Sequence, residues 1–248
     1  SGLKNPIKRD DPETYNSIFD LGLKHGGLIQ HHQWAHAQYV WDVRQNPKVA
    51  EVYRKLYGDD LLVSFDGVNV SLGPIMSGRK RGFFRGNSWL HTDQQLCDSS
   101  FKCVQSWITA NDIDEGDATL AIMEGSHIYH EEFGDKFNIT NVNDWYRLNE
   151  EEEEFYVNKK CEYRKIKCPK GSLVLWDSRT IHCNSMPMVP RKNPTFRYTV
   201  YVCMTPRSWA SEETIEQRIK AYEENRMSTH IPHEFSLYPL DNYLGEEK

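Results

Sequence analysis

The chain has 248 residues and a formal net charge of -6, and hydrophobic side chains make up 38% of it. This length suits a single domain, and the apolar and aromatic content excludes a disordered chain. The acidic balance excludes the overall basic field with which proteins bind long duplex nucleic acid, so nucleic acid is not an expected partner.

The first 60 residues are expected to form a helical layer. Asn46 is a typical helix cap, Pro47 suits the first helical position, and Gly58 is a typical helix terminator. The N-terminal residues lack the apolar centre of a secretory signal, and the sequence has no run of about 18 apolar residues. We therefore expect a soluble, cytoplasmic protein without a membrane partner.

From residue 61 to residue 206 the pattern changes to short runs rich in β-branched and aromatic residues, separated by Gly, Pro and Asp turns. Seven runs predict strands: LLVSF, VNVSL, CVQSWITA, TLAIM, YRKIKC, SLVLW and FRYTVYVCM. Short strands in this number favour a barrel or a sandwich. The six cysteines form no CxxC pair, and a chain of this length needs no disulfides, so we expect free thiols.

Two further segments accompany the predicted strands. Residues 127–160 are expected to leave the sheet, and the acidic run EEEEE within them is typical of a solvated loop or a helix end. In residues 207–248, Ser211 is a typical cap of a helix, which is followed by an irregular tail. The apolar face of this helix is expected to carry Ile215, Ile219 and Tyr222. No linker or repeat divides the chain, so residues 1–248 are expected to form one domain.

The stretch WLHTDQ places His91 and Asp93 one residue apart. In extended backbone, side chains two positions apart leave the same face, so both can reach one point. His182 follows the run SLVLW and a short polar link, which makes it the best candidate for a third ligand. Two imidazoles and one carboxylate form the facial triad of non-haem Fe(II) oxygenases, which leaves positions for a chelating co-substrate and for O2.

Arg197 lies within the apolar strand pattern of FRYTVYVCM, fifteen residues after His182. A buried guanidinium costs several kcal/mol unless an anion meets it, and its planar fork suits a carboxylate. The distal carboxylate of 2-oxoglutarate is such an anion. The alternative is an arginine that pairs with a protein carboxylate or is exposed to solvent.

The sequence resembles the phytanoyl-CoA dioxygenase-like family of Fe(II)/2-oxoglutarate-dependent oxygenases. The resemblance covers about residues 60–206 and rests, in order, on WLHTDQ, SWITANDIDEGDATLAIMEGSH, KGSLVLWDSRTIHCN and FRYTVYVCM. It implies a mainly β fold with helices, built on a double-stranded β-helix of the jelly-roll, cupin-like type. It also implies iron on His91, Asp93 and His182, with 2-oxoglutarate held by Arg197.

The same resemblance implies three further co-substrate contacts. Trp107 would lie beside 2-oxoglutarate, Thr92 would occupy the variable position of the HxD motif, and Asn184 would lie close to the co-substrate. The link from His182 to Arg197 is longer than is usual in the family, which makes Arg191 a rival for the carboxylate. Arg197 is preferred because it lies inside the strand pattern, whereas Arg191 falls between two prolines.

The expected activity is a 2-oxoglutarate-dependent hydroxylation of a small or medium organic molecule. A basic, aromatic loop before the HxD motif either binds an anionic substrate or is a solvated turn; it contains Arg79, Lys80, Arg81, Phe83, Phe84 and Arg85. Two other functions stay open: a cupin-type metal protein with non-oxygenase chemistry, and a catalytically silent binding protein on the same scaffold. The remaining histidines, among them His127, His230 and His233, are expected to have packing roles.

Overall fold

The computed structural model describes residues 6–21, 27–30, 33–71, 89–140, 142–188 and 195–239. The N-terminal layer comprises the 3-10 helices Pro12–Leu21 and Trp34–His36, helix α1 (Gln38–Arg44) and helix α2 (Pro47–Tyr57). Helix α2 begins and ends as predicted, because the Asn46 side chain accepts the Lys48 N–H and the Gly58 N–H donates to the Arg54 carbonyl.

Eleven strands in the described residues form two antiparallel sheets. They are β1 (Leu28–Ile29), β2 (Leu61–Val63), β3 (Val68–Ser71), β4 (His91–Thr92), β5 (Val104–Thr109), β6 (Thr119–Met123), β7 (Tyr146–Arg147), β8 (Tyr163–Lys165), β9 (Leu173–Asp177), β10 (His182–Ser185) and β11 (Arg197–Pro206). The larger sheet has the order β1-β3-β11-β5-β9, with β2 also paired to β11. The smaller sheet has the order β7-β4-β10-β6-β8.

The chain alternates between the two sheets, which is the arrangement of a jelly-roll. Strands β3, β5, β9 and β11 belong to the larger sheet, and β4, β6 and β10, which alternate with them along the chain, belong to the smaller one. The predicted double-stranded β-helix with a helical layer is therefore confirmed. Val68 of β3 and Val200 and Val202 of β11 pack in one buried cluster with Tyr53 of α2, so the helical layer covers the larger sheet.

The segment 127–160 only partly leaves the sheet, contrary to the prediction. It contains helix α3 (His130–Lys136) and helix α4 (Glu150–Asn158), but between them β7 pairs with β4. The acidic run forms the first turn of α4, where Asn149 and Glu152 form a capping box. Carboxylates are stabilised at this position by the positive end of the helix dipole.

The C-terminal helix α5 (Glu212–Glu223) starts after Ser211, whose hydroxyl accepts the Thr214 N–H, as predicted. Its expected apolar face is wrong in part, because Ile219 and Tyr222 are each 55% exposed. Arg218 is buried instead, since its guanidinium donates to the carbonyls of Val63 and Pro232. The residues after α5 then form a hairpin in which Ser228 pairs with Leu237.

Two other sequence expectations can be compared with the structure. All six cysteines lie in described residues and are free thiols, as predicted. No helix in the described ranges is long and apolar enough to cross a membrane.

Candidate active site

The three predicted metal ligands converge. His91 and His182 are the first residues of β4 and β10, and the two strands pair so that these histidines lie directly opposite each other. Nε2 of His91 lies 3.6 Å from Oδ1 of Asp93, and Nε2 of His182 lies 3.3 Å from its Oδ2. The candidate ligand atoms of the three residues all lie within 4.8 Å of one another. This arrangement leaves room for one cation between them.

Both imidazoles are oriented for metal binding by backbone carbonyls. Nδ1 of His91 lies 3.0 Å from the Trp89 carbonyl oxygen, and Nδ1 of His182 lies 2.8 Å from that of Thr180. A carbonyl only accepts, so each Nδ1 carries a proton, and each Nε2, which faces Asp93, is the nitrogen available to a cation. The Trp89 ring also stacks on His91 at a centroid distance of 4.7 Å, which limits rotation of that imidazole.

The loop that carries Asp93 is fixed by its buried neighbour Gln94. The Gln94 amide donates to the carbonyls of Asp98 and Ser100 and accepts from the Ser178 hydroxyl. Burial alone would raise the pKa of Asp93, but the imidazoles of His182 and His91 lower it well below its ordinary value. Asp93 therefore presents a carboxylate, the form that binds a metal cation.

Arg197 is 2% exposed and has an incomplete set of hydrogen-bond partners. Its Nη1 donates to Oδ1 of Asn184 at 2.5 Å, and its guanidinium lies 5.2 Å from the centroid of the Trp107 ring. Its Nε and Nη2 are buried without a hydrogen-bond partner in the described residues. Burial lowers the pKa of Arg197 from its ordinary value, with a smaller opposing effect from Tyr201. The guanidinium nevertheless remains a cation, and its Nε and Nη2 lack an acceptor in the described residues.

Further unpartnered donors share this part of the larger sheet. The indole N–H groups of Trp107 and Trp176 and the amide nitrogen of Gln105 are buried without a partner among the described residues. Gln105 pairs with Trp176 across β5 and β9, and Trp107 lies two residues from Gln105 on the same face of β5. Because these atoms are all donors, the face suits a ligand that offers several acceptor oxygens.

A cavity of about 490 Å³ lies against the candidate metal site, whereas Arg197 and Trp107 are not among its lining residues. It reaches the three ligand residues as well as Asn184, Trp176 and Gln105. Its walls also include residues that the sequence did not indicate: Asp66, Asp144, Trp145, Tyr201, His230 and Tyr238. The sequence predicts only a packing role for His230, because no motif surrounds it that marks it as part of a site.

The other sequence-predicted residues have different positions. The Thr92 hydroxyl is fully buried between the carbonyls of Gln94 and Ser178, and the residue does not line the cavity. The side chains of its neighbours His91 and Asp93 point instead towards each other at the candidate metal site. Arg191 and the basic loop of residues 79–85 lie outside the described residues.

The comparisons with known proteins give one curated relative. The chain is 27% identical over 208 residues to Ava biosynthesis cluster protein O of Aspergillus versicolor. The match covers 80% of this chain, which spans 64% of the length of that relative. No protein-family model matches the chain.

Solved structures of similar fold include non-haem iron enzymes. EctD from S. alaskensis with bound Fe has 13% identity and a TM-score of 0.49, covering 85% of this chain and 73% of its own. AviO1 from Streptomyces viridochromogenes Tue57 has 11% identity and a TM-score of 0.43, and the match covers 83% of this chain and 89% of AviO1. The epimerase SnoN, in complex with Fe3+, alpha ketoglutarate and nogalamycin RO, has 11% identity and a TM-score of 0.43, with coverages of 69% and 60%. Similarity at this level assigns neither an activity nor a ligand to this chain.

Proposed function

We propose that the protein is an Fe(II)- and 2-oxoglutarate-dependent dioxygenase that hydroxylates a small or medium organic molecule and releases succinate and CO2. The observation that carries the proposal is the convergence of His91, Asp93 and His182 in one cavity wall, with both Nε2 atoms directed to the carboxylate. The phytanoyl-CoA dioxygenase-like motifs in the sequence support the same assignment.

The donor set fits ferrous iron. His91, His182 and Asp93 would hold the cation with two imidazoles and one carboxylate, and positions would remain for a co-substrate and O2. The carbonyls that hold each Nδ1 proton keep both rings in place before the metal arrives. No cysteine belongs to this cluster of described residues. Imidazole and carboxylate ligands suit non-haem iron, whereas soft-metal sites use thiolates.

The unpartnered donors fit 2-oxoglutarate. Arg197 would bind its distal carboxylate through Nε and Nη2, the two atoms that lack an acceptor. Asn184 would orient the guanidinium by accepting from Nη1. The Trp107 ring would contact the guanidinium through a cation–π interaction. Thr92 is not included in this set, because its hydroxyl is already bonded to two carbonyls.

When bound together, iron, 2-oxoglutarate and O2 would supply the oxidation of an unactivated carbon. The chain's own contribution is to place the three ligands, to bind the co-substrate carboxylate and to exclude water around them. Trp89 and Trp176 contribute to the last of these roles, since their rings lie within 4.7 Å and 5.5 Å of the His91 and His182 rings. A dry site strengthens each charge interaction within it.

Two other functions remain candidates: a cupin-type metal protein with other chemistry and a catalytically silent binding protein. Neither of them requires an anion at the buried Arg197, whose Nε and Nη2 lack a partner in the described residues. Both also predict that 2-oxoglutarate is not consumed.

The proposal is tested by measuring succinate formation under air, together with thermal stabilisation of the protein by Mn(II) and 2-oxoglutarate. Asp93→Ala and His182→Ala are each expected to weaken metal binding by more than about 100-fold, since even outer-shell partners of metal ligands are worth 10- to 100-fold. His127→Ala is the matched control, because His127 does not line the cavity. If 2-oxoglutarate neither stabilises the metal-loaded protein nor yields succinate, the proposal is wrong.

A further inference from the structure

One part of the cavity lining is polar and has no task in metal or co-substrate binding. It consists of Gln30, Asp66, His230 and Tyr238, called here the polar wall. Gln30 follows β1, and Asp66 lies between β2 and β3. The other two residues come from the C-terminal hairpin.

Buried arginines hold this wall in place. Arg218 donates to the carbonyl of Pro232 in the hairpin and to that of Val63 in β2. Arg44, which is 2% exposed, donates to the carbonyl oxygens of Ala35 and Asp66. Buried hydrogen bonds therefore anchor both parts of the chain that carry the polar wall, the segment at Asp66 and the C-terminal hairpin.

Two groups of the wall have unused hydrogen-bonding capacity. Nε2 of His230 is buried and has no partner among the described residues. The Tyr238 oxygen accepts from the Gln30 amide at 2.5 Å, which leaves the Tyr238 O–H as a donor. Unpartnered polar atoms at a cavity wall favour a ligand with matching polar groups.

The charge of the wall is set by its acidic neighbours. Burial alone lowers the pKa of His230, but the nearby Asp93 carboxylate, with smaller help from Asp66, raises it above its ordinary value. Asp66 itself accepts the Gly67 N–H, and burial raises the pKa of its carboxyl group. Both groups can therefore exchange hydrogen bonds with a ligand hydroxyl or amine.

The rest of the lining defines the body of the ligand. Four aromatic rings contribute to it, those of Trp89, Trp145, Trp176 and Tyr201, and the described lining contains no lysine or arginine. Lys102 is buried close by, but it is already paired with Asp144 and Glu234. Aromatic walls with carboxylates, and with no lysine or arginine among the described lining residues, favour an aromatic molecule that is neutral or cationic.

We propose that the polar wall is the substrate-recognition site, in which His230 and Asp66 bind a hydroxyl or amino group of a neutral or cationic aromatic substrate. This inference rests on the proposed function, because the reacting carbon must then lie beside the metal at His91, Asp93 and His182. It makes His230 a positioning residue for the substrate.

Paramagnetic relaxation by Mn(II) tests the inference, because protons close to the metal relax faster. The probes are tyramine, tyrosol and 4-hydroxyphenylacetate, which share a phenol ring and carry a cationic, a neutral and an anionic side chain. Each is added to protein loaded with Mn(II) and 2-oxoglutarate, with Zn(II)-loaded protein as the diamagnetic reference. The methylene protons of 2-oxoglutarate report on the metal centre in the same sample.

We expect tyramine and tyrosol protons to be relaxed at least about fivefold more than those of 4-hydroxyphenylacetate. The reason is that the carboxylates of the cavity repel an anionic side chain, and this repulsion is stronger where water is partly excluded. In His230→Ala, the ratio of probe relaxation to 2-oxoglutarate relaxation should fall by a similar factor, and His230→Gln should restore part of it. His233→Ala is the matched control. This histidine belongs to the same hairpin, but its Nδ1 lies 3.1 Å from the Thr205 hydroxyl and it does not line the cavity.

The outcomes separate the two proposals. If 2-oxoglutarate protons are not relaxed, the proposed function fails. If they are relaxed but no aromatic probe is, or if the anionic probe binds best, the substrate-recognition site is wrong and the oxygenase assignment stands. If His233→Ala lowers the ratio as much as His230→Ala, the hairpin has only a structural role.

Discussion

Replacing Arg197 with methionine separates its role in binding from its role in folding. The folded protein without co-substrate leaves Nε and Nη2 of this buried guanidinium unpartnered, at a cost of about 1–3 kcal/mol each. The variant removes that cost but also loses the hydrogen bond to Asn184, worth about 1.5–3 kcal/mol, and the contact with the Trp107 ring, worth about 0.5–2 kcal/mol. These contributions nearly cancel, so the free energy of unfolding should change by less than about 2 kcal/mol.

The effect on co-substrate binding should be much larger. Removing one partner of a buried charge pair costs about 2–5 kcal/mol, which corresponds to a roughly 30- to 4,000-fold weaker affinity for 2-oxoglutarate. At a co-substrate concentration of about 100 times its Kd, the native protein gains about 2.7 kcal/mol, or about 5–11 °C in Tm for a domain of this size. A variant with 100-fold weaker binding gains only about 0.4 kcal/mol, or about 1 °C, at the same concentration.

Thermal unfolding of the Mn(II)-loaded protein, with and without 2-oxoglutarate, measures both the stability of the protein and its stabilisation by the co-substrate. Arg218→Met is the matched control, because Arg218 is also buried but donates to two backbone carbonyls. This variant should lower the free energy of unfolding by about 3–6 kcal/mol. Arg191→Met tests the rival arginine and should keep the full co-substrate shift. Retention of that shift by Arg197→Met, or its loss in Arg191→Met alone, would refute the reasoning.

Three further predictions concern stability. Lys102→Met should lower the free energy of unfolding, measured in urea, by about 1–3 kcal/mol, because the buried ammonium lies 2.7 Å from the Glu234 carboxylate. The loss stays moderate because solvent partly screens the carboxylate partners. An unchanged urea midpoint would contradict this prediction. Gly67→Ala should cost about 3 kcal/mol in the same assay, because an added Cβ would lie 1.9 Å from the Ile29 carbonyl oxygen, and a neutral result would mean that β1 can move away. Burial lowers the pKa of His130 below 6.5, so the unfolded chain takes up more protons in mild acid and stability should fall as the pH drops from about 7 to about 5.5. In His130→Asn this dependence should be weaker, and equal slopes in the two proteins would disprove the assignment.

Sequence patterns predicted the long strands and the three residues that converge, His91, Asp93 and His182, but not the short strands that carry the two histidines. The runs that became β5, β9 and β11 are rich in β-branched and aromatic residues, which favour extended backbone in any context. Strands β4 and β10 have the sequences HT and HCNS, which carry no such preference. They are extended because each pairs with neighbours on both sides, and those pairings come from distant parts of the chain.

The polar wall could not be predicted for a related reason. His230 occurs in a segment without periodicity, and it reaches the cavity because Arg218 holds the hairpin through the Pro232 carbonyl. A buried arginine on the inner face of a helix is itself contrary to the apolar pattern that the sequence suggested for α5. Long-range hydrogen bonds to backbone carbonyls leave no mark in local composition.

The pairing of β7 with β4 has a consequence for altering this protein by design. The two residues of β4 include His91, a proposed metal ligand, and on one side they pair with Tyr146 and Arg147 of β7. The same excursion of the chain brings Trp145 to the cavity wall. Exchanging residues 127–160 to admit a new compound is therefore expected to weaken the proposed metal site as well, so selectivity and metal binding would have to be optimised together.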